Sequence, residues 1–269
     1  TSIFSCLDFS VEYYSRVTDG IIMDVLVPAT FGLGAYKDNV GKMENRGVEV
    51  TASFHKQWGD WRFNASGNVA FNHNEVLDLG VGGDKISNYY INRVGEAYNS
   101  FYGYVADGLF QSQEEADQFT KTYGNPFGKA FKAGDIRYKD LNGDHIIDIH
   151  DQTNLGSKKA KGYYGISAGF NYRGFDFSVF AQGTLNRQVY LNGDFMDGSG
   201  KNGEGAITSY VLGRWTPDNH TNTHTRVWYG SNNNNRQTSS FWIYDADFFR
   251  LKNVEVGYTL PTLLTRKLG

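Results

Sequence analysis

Oxygen-bearing side chains between residues 140 and 151 are spaced as ligands for a calcium ion. Calcium takes six to eight oxygen ligands, and an EF-hand-like loop supplies them from relative positions 1, 3, 5, 7, 9 and 12. At position 7 the ligand is a backbone carbonyl. The segment therefore predicts a calcium site whose candidate ligands are, in this order, Asp140, Asn142, Asp144, the Ile146 carbonyl, Asp148 and Asp151.

Two residues of this segment depart from the EF-hand pattern. His145 stands where the sharp turn normally has glycine, and Asp151 replaces the longer, bidentate glutamate of position 12. Asp, Asn and Gly are also ordinary turn formers, so a solvated turn without metal is the alternative. No helical pattern flanks the segment, and we expect a bound cation to order a long loop that lacks a core of its own.

The composition of the 269-residue chain is that of strands and turns. Aromatic residues make up 16%, with 18 Tyr and 19 Phe, and the 32 glycines far outnumber the 4 prolines. Aromatic side chains fit pleated surfaces, and glycine serves tight turns. The net charge of −3 offers no basic field for nucleic acid. No stretch approaches the roughly 20 apolar residues of a membrane helix, and the single cysteine, Cys6, excludes an internal disulfide.

Apolar and polar residues alternate over long runs, which predicts strands with one apolar and one polar face. In the first run, Val48, Val50 and Phe54 fall on one face, whereas Thr51 and Ser53 fall on the other. Short turn signals, such as that around Gly59, separate neighbouring runs. The runs are residues 46–56, 61–72, 163–172, 175–184 and 248–260.

The length of these runs separates two all-β architectures. Globular strands have about 5–6 residues, whereas strands that span a membrane need about 9–11. These runs reach 10 to 13 residues. Their polar faces are mostly small and uncharged, and aromatic residues gather near the strand ends, as in the girdles of outer-membrane barrels. We therefore predict an antiparallel transmembrane β-barrel, with a large soluble β-sandwich as the alternative.

Two long insertions, Gly95 to Lys161 and Asn192 to Gln237, interrupt the strand pattern. Such loops are normal on the outer side of a barrel. In the first insertion, Ser112-Gln-Glu-Glu115 is a capping box that predicts a short helix ending near Gly124. Exposed aromatic rings of the loops are candidates for contact with a sugar ring or a lid protein, with loop packing as the alternative: Tyr98, Phe101, Tyr102, Trp228 and Tyr229.

Several motifs occur in the order in which one protein family carries them. Examples are Glu44-Asn-Arg-Gly-Val-Glu49, the segment from Gly134 to Asp144, Arg214-Trp-Thr-Pro-Asp218 and the segment from Asp247 to Pro261. Together the motifs span nearly the whole chain, which resembles the SusC/RagA-type TonB-dependent outer-membrane transporters of Bacteroidetes. In the first motif we expect lumen-facing polar residues, a kink at the glycine, and a structural pair between its arginine and its last glutamate.

The resemblance implies that residues 1–269 are the C-terminal portion of a plugged barrel of about 22 strands in the outer membrane. It implies that both insertions are extracellular and that this portion carries no plug. Full-length members import a glycan, an oligosaccharide or a peptide. Import is powered by TonB, through an N-terminal part not included here, and a SusD-like surface lipoprotein acts as a lid. Because so short a chain cannot close such a barrel, it is either part of a longer protein or a truncated product.

Two other functional classes stay open at this point. The first is a secreted or surface all-β carbohydrate-binding module stabilised by calcium, which would be soluble without detergent. The second is a β-rich glycoside hydrolase, which needs two carboxylates about 5–10 Å apart. The sequence contains no nucleophile elbow, no HExxH motif and no phosphate-binding glycine loop. We therefore expect neither catalysis nor an organic cofactor.

Overall fold

One antiparallel sheet dominates the structure. The computed structural model describes residues 2–3, 6–25, 36–191, 208–228 and 233–261. Within them, seven strands hydrogen-bond in the order β1-β2-β3-β4-β11-β12-β15, numbered along the chain. Their bounds are β1 Ser2–Ile3, β2 Leu7–Val25, β3 Tyr36–Trp58, β4 Trp61–Asp78, β11 Gly162–Tyr172, β12 Phe175–Leu185 and β15 Phe248–Tyr258.

The long strands pair as the alternating sequence predicts. A tight turn at Gly59 and Asp60 joins β3 to β4, and a second turn at Arg173 and Gly174 joins β11 to β12. The φ angle of Gly59 is +57° and that of Gly174 is +90°, which is the region that two-residue hairpin turns require. Strands β3 and β4 extend beyond the predicted runs. The alternation did not give bounds for the 19-residue β2.

The register places most apolar residues of six strands on one face of the sheet. Val11, Val50 and Val69 lie side by side on β2, β3 and β4. Cross-strand partners point to the same side of a pleated sheet, so each such row belongs to one face. A second row crosses β4, β11, β12 and β15 through Phe63, Phe170, Phe177 and Val256.

This apolar face is exposed in the chain. The side chains of Tyr13, Phe249 and Val256 are 70%, 65% and 76% exposed. In a β-sandwich the same face would be buried against a second sheet about 10 Å away. Among the described residues no second sheet covers it, so the sandwich alternative does not describe this fold. A contiguous exposed apolar surface marks contact with another molecule or with a membrane.

Aromatic rings form a row at the tight-turn end of the apolar face. The centroids of the Trp61 and Tyr172 rings are 4.1 Å apart, and those of Phe175 and Tyr258 are 4.5 Å apart. Ten residue steps along β4 separate Trp61 from Phe71, a height of about 25 Å for a strand rising ~3.3 Å per residue at a tilt of ~40°. This height matches the apolar band of outer-membrane barrels, which is about 25 Å tall.

The residues between the long strands form a second folded part, which we call the loop unit. It comprises residues 79–161 and the described parts of 186–247. Its helix α1, Gln113–Tyr123, begins after Ser112, whose hydroxyl accepts a hydrogen bond from the Glu115 N–H at 3.2 Å, and ends at Gly124. Its strands are β5 Lys85–Ser87, β6 Tyr90–Asn92, β7 Ser100–Tyr104, β8 Ala106–Leu109, β9 Ile136–Tyr138, β10 Gln152–Ser157, β13 Gln188–Tyr190 and β14 Ile243–Asp245.

The helix prediction is confirmed at both ends, with one difference in the cap. The Glu115 carboxylate accepts a hydrogen bond from the Gln111 N–H at 2.9 Å, one residue before the position that a closed capping box would use. Strands β5, β6, β7 and β10 form a small four-stranded sheet in the loop unit. Within the described residues, no helix is long and apolar enough to cross a membrane.

The main hydrophobic core of the described residues lies in the loop unit. Phe110, Phe131 and Trp242 are each 1% exposed. The expectation that the first insertion lacks a core of its own is therefore wrong. Aromatic rings of this insertion that are distant in sequence pack on one another, for example those of Phe110 and Phe131 and those of Tyr104 and Tyr138. The core consists of Tyr104, Leu109, Phe110, Ala116, Phe131, Ile136, Tyr138, Ile147, Trp215 and Trp242.

Candidate functional site

The polar face of the main sheet carries mostly small, uncharged side chains, as the alternation predicts. The Ser66 and Ser167 hydroxyls are 2.9 Å apart across β4 and β11. Thr51 and Asn68 are cross-strand partners, and Gly165 is the next neighbour in the same row. Side chains of this kind tolerate water and leave room beside the backbone, which suits the interior of a barrel.

The motif from Glu44 to Glu49 corrects two expectations. Arg46 forms its ion pairs with Glu44 and Glu75, at 3.6 and 3.4 Å, and not with Glu49. Residues 46 and 49 point to opposite faces because side chains alternate along a strand. Gly47 does not have the positive φ angle that would mark the expected kink. A Cβ there would clash with the backbone carbonyl oxygen of Phe71 and lie 2.6 Å from Cζ of a tyrosine on β2, so the glycine allows close approach of a strand and a ring.

The acidic segment forms a loop that its own carboxylates hold together. Asp140 accepts hydrogen bonds from the backbone N–H groups of Gly143 and His145, at 2.6 and 2.9 Å. Asp151, which is fully buried, accepts one from Leu141 at 2.8 Å and one from Asp148 at 2.9 Å. Partial burial raises the pKa of Asp140, but the N–H donors of His145 and Gly143 outweigh it, so this pKa lies below its ordinary value of 3.8.

The backbone of this loop accommodates the unusual histidine. His145 has a φ angle of +63°, so it makes the left-handed turn that an EF-hand loop assigns to glycine. Ile147, the apolar residue of position 8, is 2% exposed and packs in the core of the loop unit. Both observations fit a calcium loop, but hydrogen-bonded turns of this kind also form without an ion.

The donor set itself suits calcium, because carboxylate, amide and carbonyl oxygens are the ligands that this ion prefers. However, no three His, Cys, Asp or Glu side chains in the described part of the chain are grouped so as to hold a metal ion. In the structure the carboxylates turn toward the amides of their own loop. The calcium prediction for Asp140, Asn142, Asp144, Ile146, Asp148 and Asp151 therefore stays a prediction.

The structure separates the aromatic residues proposed as contacts for a sugar or a lid. The expected exposure is wrong for Phe101 and Trp228, which are 1% and 7% exposed. Phe101 packs between two tyrosines because β7 is a central strand of the small sheet. Tyr98 and Tyr102 are half-buried, and their role as contacts stays a prediction. Tyr229 lies outside the described residues.

A cavity of about 680 Å³, which the sequence did not predict, lies on the polar face where the sheet meets the loop unit. We call it the basic pocket. Its signal in the sequence is the pair Lys158-Lys159 just before β11, which the alternation pattern assigns to a loop. Its lining includes Lys158, Lys159, Tyr163, Phe180, Thr184 and Arg187.

Comparisons with known proteins identify relatives over almost the whole chain. The chain is 28% identical over 295 residues to TonB-dependent receptor P39 of Formosa agariphila. This alignment covers 98% of the chain and 28% of that receptor. It is 28% identical over 264 residues to TonB-dependent receptor SusC of Bacteroides thetaiotaomicron. That alignment covers 94% of the chain and 24% of SusC. The chain thus spans about a quarter of the length of these curated relatives. No protein-family model matches it.

Solved structures show the same fold. A chain of the RagAB peptide importer in the open-open state superposes with a TM-score of 0.73 at 22% identity, covering 97% of this chain and 27% of that one. In the closed-closed state the TM-score is 0.70, with coverage of 96% and 28%. At this level of identity the likeness establishes the fold alone.

The all-β wall has one apolar and one polar face and is interrupted by a large folded loop unit, and it resembles part of a barrel of the TonB-dependent receptor type. In the described residues the sheet is open, with β1 and β15 at its edges, and no plug is present. The chain is a homologue of the SusC-type TonB-dependent receptors. The resemblance that the motifs indicated is confirmed.

Proposed function

We propose that this chain forms part of the wall and outer loops of a nutrient importer in the bacterial outer membrane. The observation that carries the proposal is the apolar face, which is continuous in register across six strands and exposed. Such a face is suited to contact with lipid. Closure of the sheet into a barrel pairs the backbone N–H and C=O groups at its edges, which lipid could not hydrogen-bond. The polar face then borders the lumen through which the solute passes.

The partners follow from the same proposal. TonB supplies energy to the complete transporter, and a SusD-like lipoprotein of the outer surface covers the loop unit as a lid. The relatives are TonB-dependent receptors, and the superposed structure is that of a peptide importer, which supports transport rather than catalysis. An oligosaccharide or a peptide is the imported solute. The exposed apolar face argues against the secreted carbohydrate-binding module, because a soluble protein would have to cover it.

The test is cell fractionation combined with uptake. The full-length protein that carries this chain should sediment with the outer membrane, require detergent for extraction, and run faster on gels before heating than after it. Deletion of its gene should abolish uptake of at least one oligosaccharide or peptide by the source bacterium, and deletion of tonB should have the same effect. A protein that stays soluble without detergent, or uptake that is unchanged in both strains, would contradict the proposal.

A further inference from the structure

The basic pocket concentrates positive charge on a chain whose net charge is −3. Lys158, Lys159 and Arg187 line it, and no aspartate or glutamate does. Within the described residues none of these three side chains forms an ion pair. No carboxylate of the described residues therefore neutralises the cations of the pocket.

Two carboxylates of the surrounding elements have other partners. Asp247 accepts hydrogen bonds from the backbone N–H groups of Asn186 and Arg187, at 2.8 and 2.7 Å. Glu96 lies 3.2 Å from the Arg93 guanidinium and accepts a further hydrogen bond from an asparagine amide. Neither acid neutralises the lysines.

Neutral groups hold the two lysine side chains in place. Lys158 Nζ lies 4.8 Å from the centre of the Tyr90 ring, and Lys159 Nζ lies 5.3 Å from the centre of the Tyr98 ring. Lys159 Nζ is also 3.4 Å from Asn74 Oδ1. Burial lowers the pKa of Lys159, and the neighbouring charge of Lys158 lowers it further. A bound anion near Lys159 would oppose this lowering, because it stabilises the charged form of the lysine.

Two aromatic rings complete the wall of the pocket. Tyr163 and Phe180 line it and are 50% and 37% exposed. They offer apolar surface to a ligand whose charged group lies at the lysines.

We propose that the basic pocket binds a carboxylate of the solute that the transporter imports. This inference rests on the proposed import function and adds the chemical class of the solute. The volume of about 680 Å³ falls within the range of about 300–1,000 Å³ that is typical of small-ligand sites. Lys158 and Lys159 bind the carboxylate, and the rings of Tyr163 and Phe180 pack against the apolar surface of the solute. The carboxylate belongs either to an acidic oligosaccharide or to an acidic peptide.

The experiment is calorimetric titration of the full-length transporter in detergent at low ionic strength. One arm compares tetragalacturonate with its neutral methyl ester, and the other compares tetra-aspartate with tetra-asparagine. In at least one arm the acidic solute should bind at least tenfold more tightly than its neutral partner, and the arm that responds identifies the source of the carboxylate. Raising the salt concentration should weaken this binding because it screens the charges.

Variants then assign the binding to the pocket. Combining Lys158→Gln with Lys159→Gln should weaken binding of the acidic solute at least tenfold and leave the neutral one unchanged. The matched control is Lys161→Gln, which removes one charge just outside the pocket and should change the affinity less than twofold. Each variant must keep the heat-modified migration of the parent on gels, so that a folding defect is not read as a binding defect.

The two proposals fail in different ways. No preference for the acidic solute in either arm, or an equal loss in the Lys161→Gln control, overturns the carboxylate pocket while transporter-dependent uptake still stands. Absence of any transporter-dependent uptake in cells overturns the import function, whatever the calorimetry shows.

Discussion

The guanidinium of Arg226 lies 2.6 Å from the carboxylate of Asp135, which is fully buried. Asp135 belongs to the first insertion and Arg226 to the second, and Asn235 also donates to this carboxylate at 2.9 Å. Further hydrogen bonds cross the same boundary, among them that from the Ile136 N–H to Asn235 Oδ1 at 2.8 Å. The two insertions therefore fold as one unit and not as two independent loops.

Replacement of this arginine should destabilise the loop unit. In Arg226→Met the Asp135 carboxylate stays buried without its cation, which costs about 3–5 kcal/mol in comparable cases. Hydrogen exchange of the full-length transporter should show loss of protection in residues 95–161, even though the substitution lies in the other insertion.

The control for this variant is Arg173→Met. Arg173 makes a similarly short contact of 2.7 Å with Asp60, but both side chains are more than half exposed. An exposed pair contributes little because water screens it. Equal effects of the two substitutions would show that burial does not decide the strength of these pairs.

Gly47 should be the more sensitive of two central glycines in the sheet. Tyr14 crosses it, and the Tyr14 hydroxyl donates to Asn72 Oδ1 at 2.9 Å. Gly47→Ala should displace this ring and cost about 1–3 kcal/mol, as overpacking does. The nearest atom to a Cβ at Gly67 is 3.8 Å away, so Gly67→Ala should be tolerated. The temperature at which the heat-modified gel band shifts measures both, and a lower value for Gly67→Ala would refute the explanation.

Calcium should protect the acidic loop. We expect residues 134–152 to resist limited proteolysis in calcium and to be cut faster in chelator, because a cation would neutralise the carboxylates gathered there. Asp144→Ala should remove the calcium-dependent difference. Asp60→Ala, in a turn at the other end of the sheet, should retain it. Identical digestion of the parent protein with calcium and with chelator would leave the solvated turn as the correct interpretation.

The same loop should loosen in acid. The pKa of Asp140 is lower in the folded loop than its ordinary value of 3.8, so its carboxylate stabilises the loop above that value and loses this effect as the pH falls through the folded pKa. Without calcium, amide protection at Gly143 and His145 should be constant above about pH 5 and decline below it. Asp140→Asn should flatten this dependence, because an amide does not titrate. A decline of equal size in the variant would assign it to other groups.

The long hairpins could be predicted from sequence because a period of two is a local signal. Val48, Val50 and Phe54 alternate with polar residues, and neighbouring strands then fall into register through short turns. The helix after Ser112 could be predicted equally well, since its N-cap residue and its closing glycine are local sequence signals. The motifs identified the family for the same reason.

The loop unit could not be predicted because its contacts are distant in sequence. Tyr138 donates to the carbonyl of Asn234 at 2.5 Å, across 96 residues. Trp215 and Trp242 enter a core whose other members precede residue 148. The burial of Phe101 and Trp228 could not be predicted either, because no periodic pattern marks these two residues. The basic pocket was missed because it forms between Lys158 and Lys159, which lie in a connection, and strand residues such as Thr184.

The central claim is that one face of the sheet borders lipid and the other borders water. Spin labels placed one at a time on β12 and β15 of the full-length transporter, in lipid bilayers and with Cys6 replaced by serine, test it directly. Labels at Val179 and Val254 should be accessible to oxygen and protected from a water-soluble nickel reagent, and labels at Ser178 and Glu255 should show the reverse. Equal accessibility at all four positions, or the opposite alternation, would contradict the account.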